Sequence, residues 1–193
     1  MKPEVETARL FVGIFPPPTS LQSLLEAEST WNLRDLRPVP PEKRHLTLCF
    51  LGSVPQLEIP IIEAALTDLP YQTKRLRLQI TGLGVFPNLK RPQVLWAGLE
   101  GNLETLQSLA ENIRSSCLPW TEKPDTKPFC PHITIARFRQ PNRKIEGILE
   151  LDGRTQWGGF EATEFHLIES RPNEPGSPYL TLSTYSISKP AGS

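Results

Sequence analysis

A chain of 193 residues, 38% hydrophobic and 22% charged, is long enough for one folded domain and too apolar for intrinsic disorder. Its 21 basic and 21 acidic residues cancel, which excludes a broad basic field and leaves only local contacts for any nucleic-acid partner. Three cysteines, Cys49, Cys117 and Cys130, show no C-x-x-C pairing, which argues against a disulfide framework and for a cytoplasmic setting. The opening residues are polar and no segment approaches a membrane span, so neither a signal peptide nor an anchor is expected.

Taken in order, Arg9–Phe15 is an apolar, partly β-branched run stopped by Pro16-Pro17-Pro18, and reads as a buried strand. Residues 19–28 place Leu21, Leu24 and Leu25 at helical spacing behind a Thr19 or Ser20 cap. The proline-rich stretch 37–42 leads into a second strand, His45–Leu51. Ile61, Ile62, Ala65, Leu66 and Leu69 form another helical stripe. Arg75–Thr81 alternates polar with apolar residues and Val94–Leu99 is continuously apolar, so both read as strands. A helix is predicted over residues 103–113, then strands at His132–Phe138, Phe165–Glu169 and Tyr179–Ile187, while residues 143–150 stay ambiguous. Strands outnumber helices and some follow one another directly. An α+β fold with antiparallel sheets fits this order better than a doubly wound parallel sheet.

Only three histidines occur, and two of them open the same pattern: His45-Leu46-Thr47-Leu48 and, 87 residues later, His132-Ile133-Thr134-Ile135. In a strand, residues i and i+2 share a face. Each motif therefore sets an imidazole beside a hydroxyl, with its two aliphatic residues anchored in the core. Two such imidazoles across a cleft can serve as general base and general acid near neutral pH. Cleavage of a phosphodiester by in-line attack needs that pair on opposite sides of phosphorus. Threonine hydroxyls suit the non-bridging oxygens, where charge grows in the transition state. A zinc site fits poorly, because no histidine or cysteine cluster has ligand spacing.

Arg137 is a candidate phosphate ligand because its forked donors match that anion. It lies an odd five residues after His132, so it must reach the cleft from the strand end or across a bulge. Arg139 is a lesser candidate for the same role. Lys43, Arg44, Lys90, Arg91 and Lys127 are candidates for a basic cleft mouth. Phe11 and Trp96 are candidates for stacking a nucleobase, with core packing the stronger reading for Trp96. His166 has no threonine after it and reads as structural or exposed.

At this point the sequence resembles the RNA 2′,3′-cyclic phosphodiesterases of LigT/ThpR type, within the two-histidine phosphoesterase superfamily. The likeness runs over about residues 8 to 187. It is carried by Arg9-Leu10-Phe11, by Pro41 followed by His45-Leu46-Thr47-Leu48 and Phe50-Leu51-Gly52, and by the stretch 84–98. It continues through Pro131-His132-Ile133-Thr134-Ile135-Ala136-Arg137 and closes with Glu169-Ser170-Arg171 and Gly176-x-x-Tyr179. The resemblance implies two pseudo-symmetric lobes of antiparallel sheet with helices outside, forming a single domain over residues 8–189 with short polar tails at 1–7 and 190–193. It implies metal-independent, cofactor-free opening of a terminal 2′,3′-cyclic phosphate on RNA to a 2′-phosphate, and in some members reversible 2′–5′ ligation. It implies His45 as proton donor, His132 as proton acceptor, and Thr47, Thr134 and Arg137 as phosphate-binding residues. The expected partner is an RNA 3′ end or a nucleotide carrying the cyclic phosphate, and the expected state is a monomer. Arg44, standing directly before His45, departs from the family pattern and implies a more basic cleft opening. Two alternatives stay open: a sister enzyme for another cyclic or 2′–5′ nucleotide, and a non-catalytic module that binds RNA ends.

Overall fold

Proline sets many of the element boundaries, because it fixes φ near the helical value and removes a donor that a first turn does not need. One-turn 3₁₀ helices start at Pro18 and Pro41, and another follows Pro55. Pro60 sits in the first turn of the helix after that. The structure, a computed structural model, describes residues 6–31, 36–70, 75–124, 128–140, 145–172, 174 and 178–188. Gly176 and Lys127, singled out from the sequence, lie outside the described residues.

The elements in chain order are β1 (Thr7–Ile14), α1 (Gln22–Thr30), β2 (Leu36–Pro38), β3 (Leu46–Pro55), α2 (Ile59–Thr67), β4 (Leu76–Phe86) and β5 (Val94–Gly101). They continue with α3 (Leu103–Cys117), β6 (His132–Phe138), α4 (Ile145–Asp152), β7 (Gln156–Ala162), β8 (Glu164–Ser170) and β9 (Tyr179–Ser186). Every expected strand and helix forms. Two strands were not foreseen, β2 and β7, and the described part of the ambiguous stretch, from residue 145, belongs to α4. Thr7, assigned to a tail, is already part of the sheet, opposite Pro55. β7 escaped notice because Gly158 and Gly159 interrupt its apolar pattern. A Cβ at Gly158 would lie 2.3 Å from the Ser20 carbonyl, so the glycine lets the N-terminal helical segment close on the strand.

Among the described residues the strands form one antiparallel sheet in the order β7-β4-β5-β6-β3-β1-β8-β9, with β2 added along β6. The two halves, β7-β4-β5-β6 and β3-β1-β8-β9, each end on a motif strand. They join through a single residue pair, Leu46 with Ile133. The expected α+β fold is thus formed, its two lobes being the halves of one curled antiparallel sheet that meet at a narrow seam. Leu46, Leu48, Ile133 and Ile135 are buried on the face turned away from the cleft. There α3 lies against β3, α2 lies against α3, and α1 covers β7.

Both motif strands carry a bulge at the same place. Val12 pairs with Cys49 but Gly13 pairs with Thr47, which leaves Leu48 as an extra residue. Leu95 pairs with Ala136 but Trp96 pairs with Thr134, which leaves Ile135 extra. A bulge reverses the parity of everything beyond it. Two successive residues are accordingly buried in each strand, Leu48-Cys49 and Ile135-Ala136. The fifth residue after each histidine, Phe50 or Arg137, then turns back to the cleft face. Gly52, at φ +90°, shapes the irregular stretch that follows Phe50, and a Cβ there would lie 2.6 Å from Glu122 Oε2.

Arg44 does not widen the cleft opening; it points inward and is 2% exposed. Its guanidinium grips both carboxylate oxygens of Glu28 on α1, at 2.5 and 2.8 Å, and Nε donates to the Val39 carbonyl at 3.0 Å. A fully desolvated charge is tolerated only with such complete pairing. This fork fastens the loop that delivers His45 onto the first helix. Glu28→Gln is expected to destabilise the fold by about 3–5 kcal/mol, the usual cost of orphaning one buried ion. The double change R44M/E28L should recover most of that loss. Urea unfolding of the three proteins checks both expectations.

Candidate active site

The register at the seam brings the two motifs together. With Leu46 opposite Ile133 in an antiparallel pair, His45 falls beside Thr134 and Thr47 beside His132, all four on the face opposite the buried aliphatic residues. The four are half-buried. Arg137 joins them across the bulge at Ile135, and its charge disfavours protonation of His45.

The two imidazoles are held in the same way. Nδ1 of His45 lies 2.8 Å from the carbonyl of Lys43, and Nδ1 of His132 lies 2.8 Å from the carbonyl of Cys130. A carbonyl only accepts, so Nδ1 carries the proton in both rings and donates it. Nε2 is therefore the atom left for proton exchange on each histidine. The carbonyl comes in each case from the residue two before the ring, so each motif brings its own tautomer lock.

Aromatic rings enclose both imidazoles. Around His45 stand Phe11 at 4.7 Å between centroids, Tyr179 at 5.3 Å and Phe15 at 5.9 Å. Around His132 stand Phe86 at 5.0 Å and Trp96 at 6.0 Å. Loss of water around the rings lowers both histidine pKa values below the usual 6.5, against the carbonyl bonds, which raise them. At His45 the neighbouring His132 and Arg137 push the same way as burial. Enclosure thus favours neutral rings, and an anion placed between them favours the charged form.

Phe11 is not a stacking platform. It is 3% exposed and backs His45, so neither ring face is open to a base. Phe50 takes the exposed position instead, at 61% exposure, with its ring 6.0 Å from that of Phe11. It lines a cavity of about 900 Å³ whose wall also holds Thr47, His132, Phe86, Arg114 and Phe129. The parity argument applied to Arg137 would have found Phe50, since both stand five residues after a motif histidine. Tyr179 was quoted only as part of a resemblance. It closes the His45 side, and Arg137 favours its ionised form while burial disfavours it more strongly.

Of the remaining candidates, the ring of Trp96 and the backbone of Lys43 adjoin this group, and the others lie apart from it. Trp96 is not part of the core: it is half-buried and forms a wall behind His132, over Gly84, where a Cβ would come within 2.1 Å of the indole. His166 pairs through Nδ1 with Thr184 across β8 and β9, at 3.0 Å, and its ring lies 5.7 Å from Phe15. Lys90 and Arg91 are exposed on the turn between β4 and β5, and Arg139 is exposed beyond the end of β6. Lys43 contributes its backbone carbonyl to His45. Among the described residues no group of three or more His, Cys, Asp or Glu side chains could hold a metal ion, and no helix is long and apolar enough to cross a membrane.

Comparison with known proteins agrees with this architecture. Over 190 residues the chain is 32% identical to a Thermus thermophilus protein named RNA 2′,3′-cyclic phosphodiesterase, covering 93% of this chain and 90% of the relative. It is 28% identical to an Aquifex aeolicus protein of the same name, covering 94% and 98% of the two chains. The crystal structure of the Thermus thermophilus protein TT0787 superposes with a TM-score of 0.76 at 31% identity, covering 93% of this chain and 97% of that one. E. coli LigT complexed with 3′-AMP shares the fold, with a TM-score of 0.75 at 23% identity over 95% of this chain and all of that one. A sequence model of the 2′-5′ RNA ligase superfamily matches residues 16–174, and the chain belongs to that superfamily.

Proposed function

We propose that this enzyme opens the terminal 2′,3′-cyclic phosphate of RNA to a 2′-phosphate, using His132 as general base and His45 as general acid. The observation that carries the reading is the antiparallel meeting of two H-x-T-x strands at Leu46 and Ile133, with each Nδ1 tied to a carbonyl. That arrangement leaves both Nε2 atoms for proton exchange on the same face of the sheet. Relatives that match most of the chain are named RNA 2′,3′-cyclic phosphodiesterase, which supports the reading.

Nε2 of neutral His132 takes a proton from water as its oxygen bonds to phosphorus. The P–O3′ bond breaks on the opposite side, and Nε2–H of protonated His45 gives its proton to O3′. The products are a 2′-phosphate and a free 3′-hydroxyl, and proton exchange with solvent resets both rings. Thr47, Thr134 and Arg137 hold the non-bridging oxygens, where negative charge accumulates. Phe50 offers an open ring for the terminal base. With a 5′-hydroxyl in place of water, the same displacement joins that end to phosphorus as a 2′–5′ linkage while P–O3′ breaks, and its reversal re-forms the cyclic phosphate. The reading places the enzyme in the cytoplasm as a monomer.

Product analysis on an oligoribonucleotide with a 2′,3′-cyclic phosphate, in EDTA, tests the proposal. The expected product is a 2′-phosphate, with turnover reduced about 10²–10⁴-fold in His45→Ala and in His132→Ala. Binding without turnover by the folded native chain would move the assignment to an RNA-end binding module.

Burial lowers both histidine pKa values from the usual 6.5, so kcat/KM is expected to be bell-shaped with its maximum on the acid side of that value. Protonation of the base ends it at low pH and deprotonation of the acid ends it at high pH. Bound phosphate stabilises imidazolium, so the kcat bell lies higher. A kcat/KM plateau persisting above about pH 8 with chemistry limiting would sink the mechanism.

Arg137→Ala is expected to lower kcat about 10²–10³-fold, the usual loss for one transition-state donor, with Arg137→Lys in between. Steady-state kinetics on one substrate checks the order.

A further inference from the structure

One cationic pair lies on the cleft face, and among the described residues neither of its members forms a salt bridge. β2 lies along the edge of β6 that β3 leaves after Ile133, and its register sets Arg37 directly opposite Arg137. Residues directly opposite in an antiparallel pair send their side chains to the same face, from Cα atoms about 5 Å apart. Arg37 and Arg137 are both exposed, while Leu36, one step before, is buried. Like charges placed opposite each other weaken a strand pair, so this arrangement costs stability unless an anion spans it. β2 has only three residues, and Val39 continues the same edge by donating to the Ile135 carbonyl at 2.8 Å. The segment from Arg37 to His45 thus follows β6 from the arginine pair back to the candidate acid.

Charge balance says what the pair receives. A cyclic phosphate diester carries one negative charge, which Arg137 and one imidazolium already answer. A second guanidinium beside them calls for a second anion close to the first. On an RNA 3′ end that anion is the internucleotide phosphate next to the terminal nucleotide.

Resting on the cyclic-phosphodiesterase reading above, we propose that Arg37 binds the internucleotide phosphate adjacent to the reacting one, so that the site selects oligonucleotide ends over mononucleotides. Arg37 is a specificity residue in this reading and touches no reacting atom.

The test compares kcat/KM for a 2′,3′-cyclic mononucleotide with kcat/KM for a trinucleotide ending in the same cyclic nucleotide. The native chain should prefer the trinucleotide by about ten- to a hundredfold, the worth of one charge-assisted contact. In Arg37→Gln that ratio should fall toward one, and the salt dependence for the trinucleotide should lose about 0.7 of a log unit per log unit of salt. Arg37→Lys should keep most of the ratio. Equal losses on both substrates would overturn the proposal, because Arg37 would then act through Arg137 or the fold. A native chain with no trinucleotide preference would also overturn it. Failure of the native chain to open either substrate would instead overturn the hydrolytic reading, so the two failures are distinguishable.

Discussion

The meeting of Leu46 with Ile133 is the constraint on which the candidate site depends. Each half of the sheet is tied internally by long ladders, yet the halves share one residue pair across β3 and β6. That pair fixes the phase of two strands whose alternation already points His and Thr one way and Leu and Ile the other. A slip of one residue would turn either motif into the core. The phase is protected by burial, because Leu46, Leu48, Ile133 and Ile135 are all enclosed under α3 and its neighbours. Hydrophobic packing therefore sets the geometry of the candidate site at a place where few backbone bonds do.

Electrostatics then follow from enclosure. Rings of Phe11, Phe15, Phe86, Trp96 and Tyr179 strip water from the imidazoles, and one carbonyl each compensates in part. The balance leaves neutral histidines that respond to the charge of whatever lies between them. Arg44 plays the opposite part, a cation so completely paired with Glu28 and Val39 that it has no influence to give the cleft. Two arginines seven residues apart in sequence, Arg37 and Arg44, thus meet opposite fates through the side of the edge segment on which each falls.

The repeated H-x-T-x pattern made the strands, their buried faces and the four polar residues legible, since period-2 alternation depends only on local sequence. What it hid were the places where that period breaks. The bulges at Leu48 and Ile135 depend on pairing with β1 and β5, and no local signal marks them. Arg137 was recovered by asking how an odd offset could reach the cleft, whereas the same question went unasked of Phe50. Phe11 was misread because a strand residue's face does not reveal whether another ring covers it. β2 is too short and β7 too rich in glycine to carry a pattern, and their presence is decided by partners distant in sequence.

The equivalence of Phe50 and Arg137 bears on orientation. Two near-identical acid–base units related by a pseudo-two-fold axis would admit a phosphodiester in either of two senses, with the histidines exchanging tasks and the reaction losing its direction. The units differ at the fifth position after the histidine, one apolar and aromatic, the other cationic. A nucleotide has the matching asymmetry, a flat base at one end and phosphate at the other. Under the proposed mechanism this one mismatch within a duplicated scaffold breaks the degeneracy and lets identical side chains act as donor on one side and acceptor on the other.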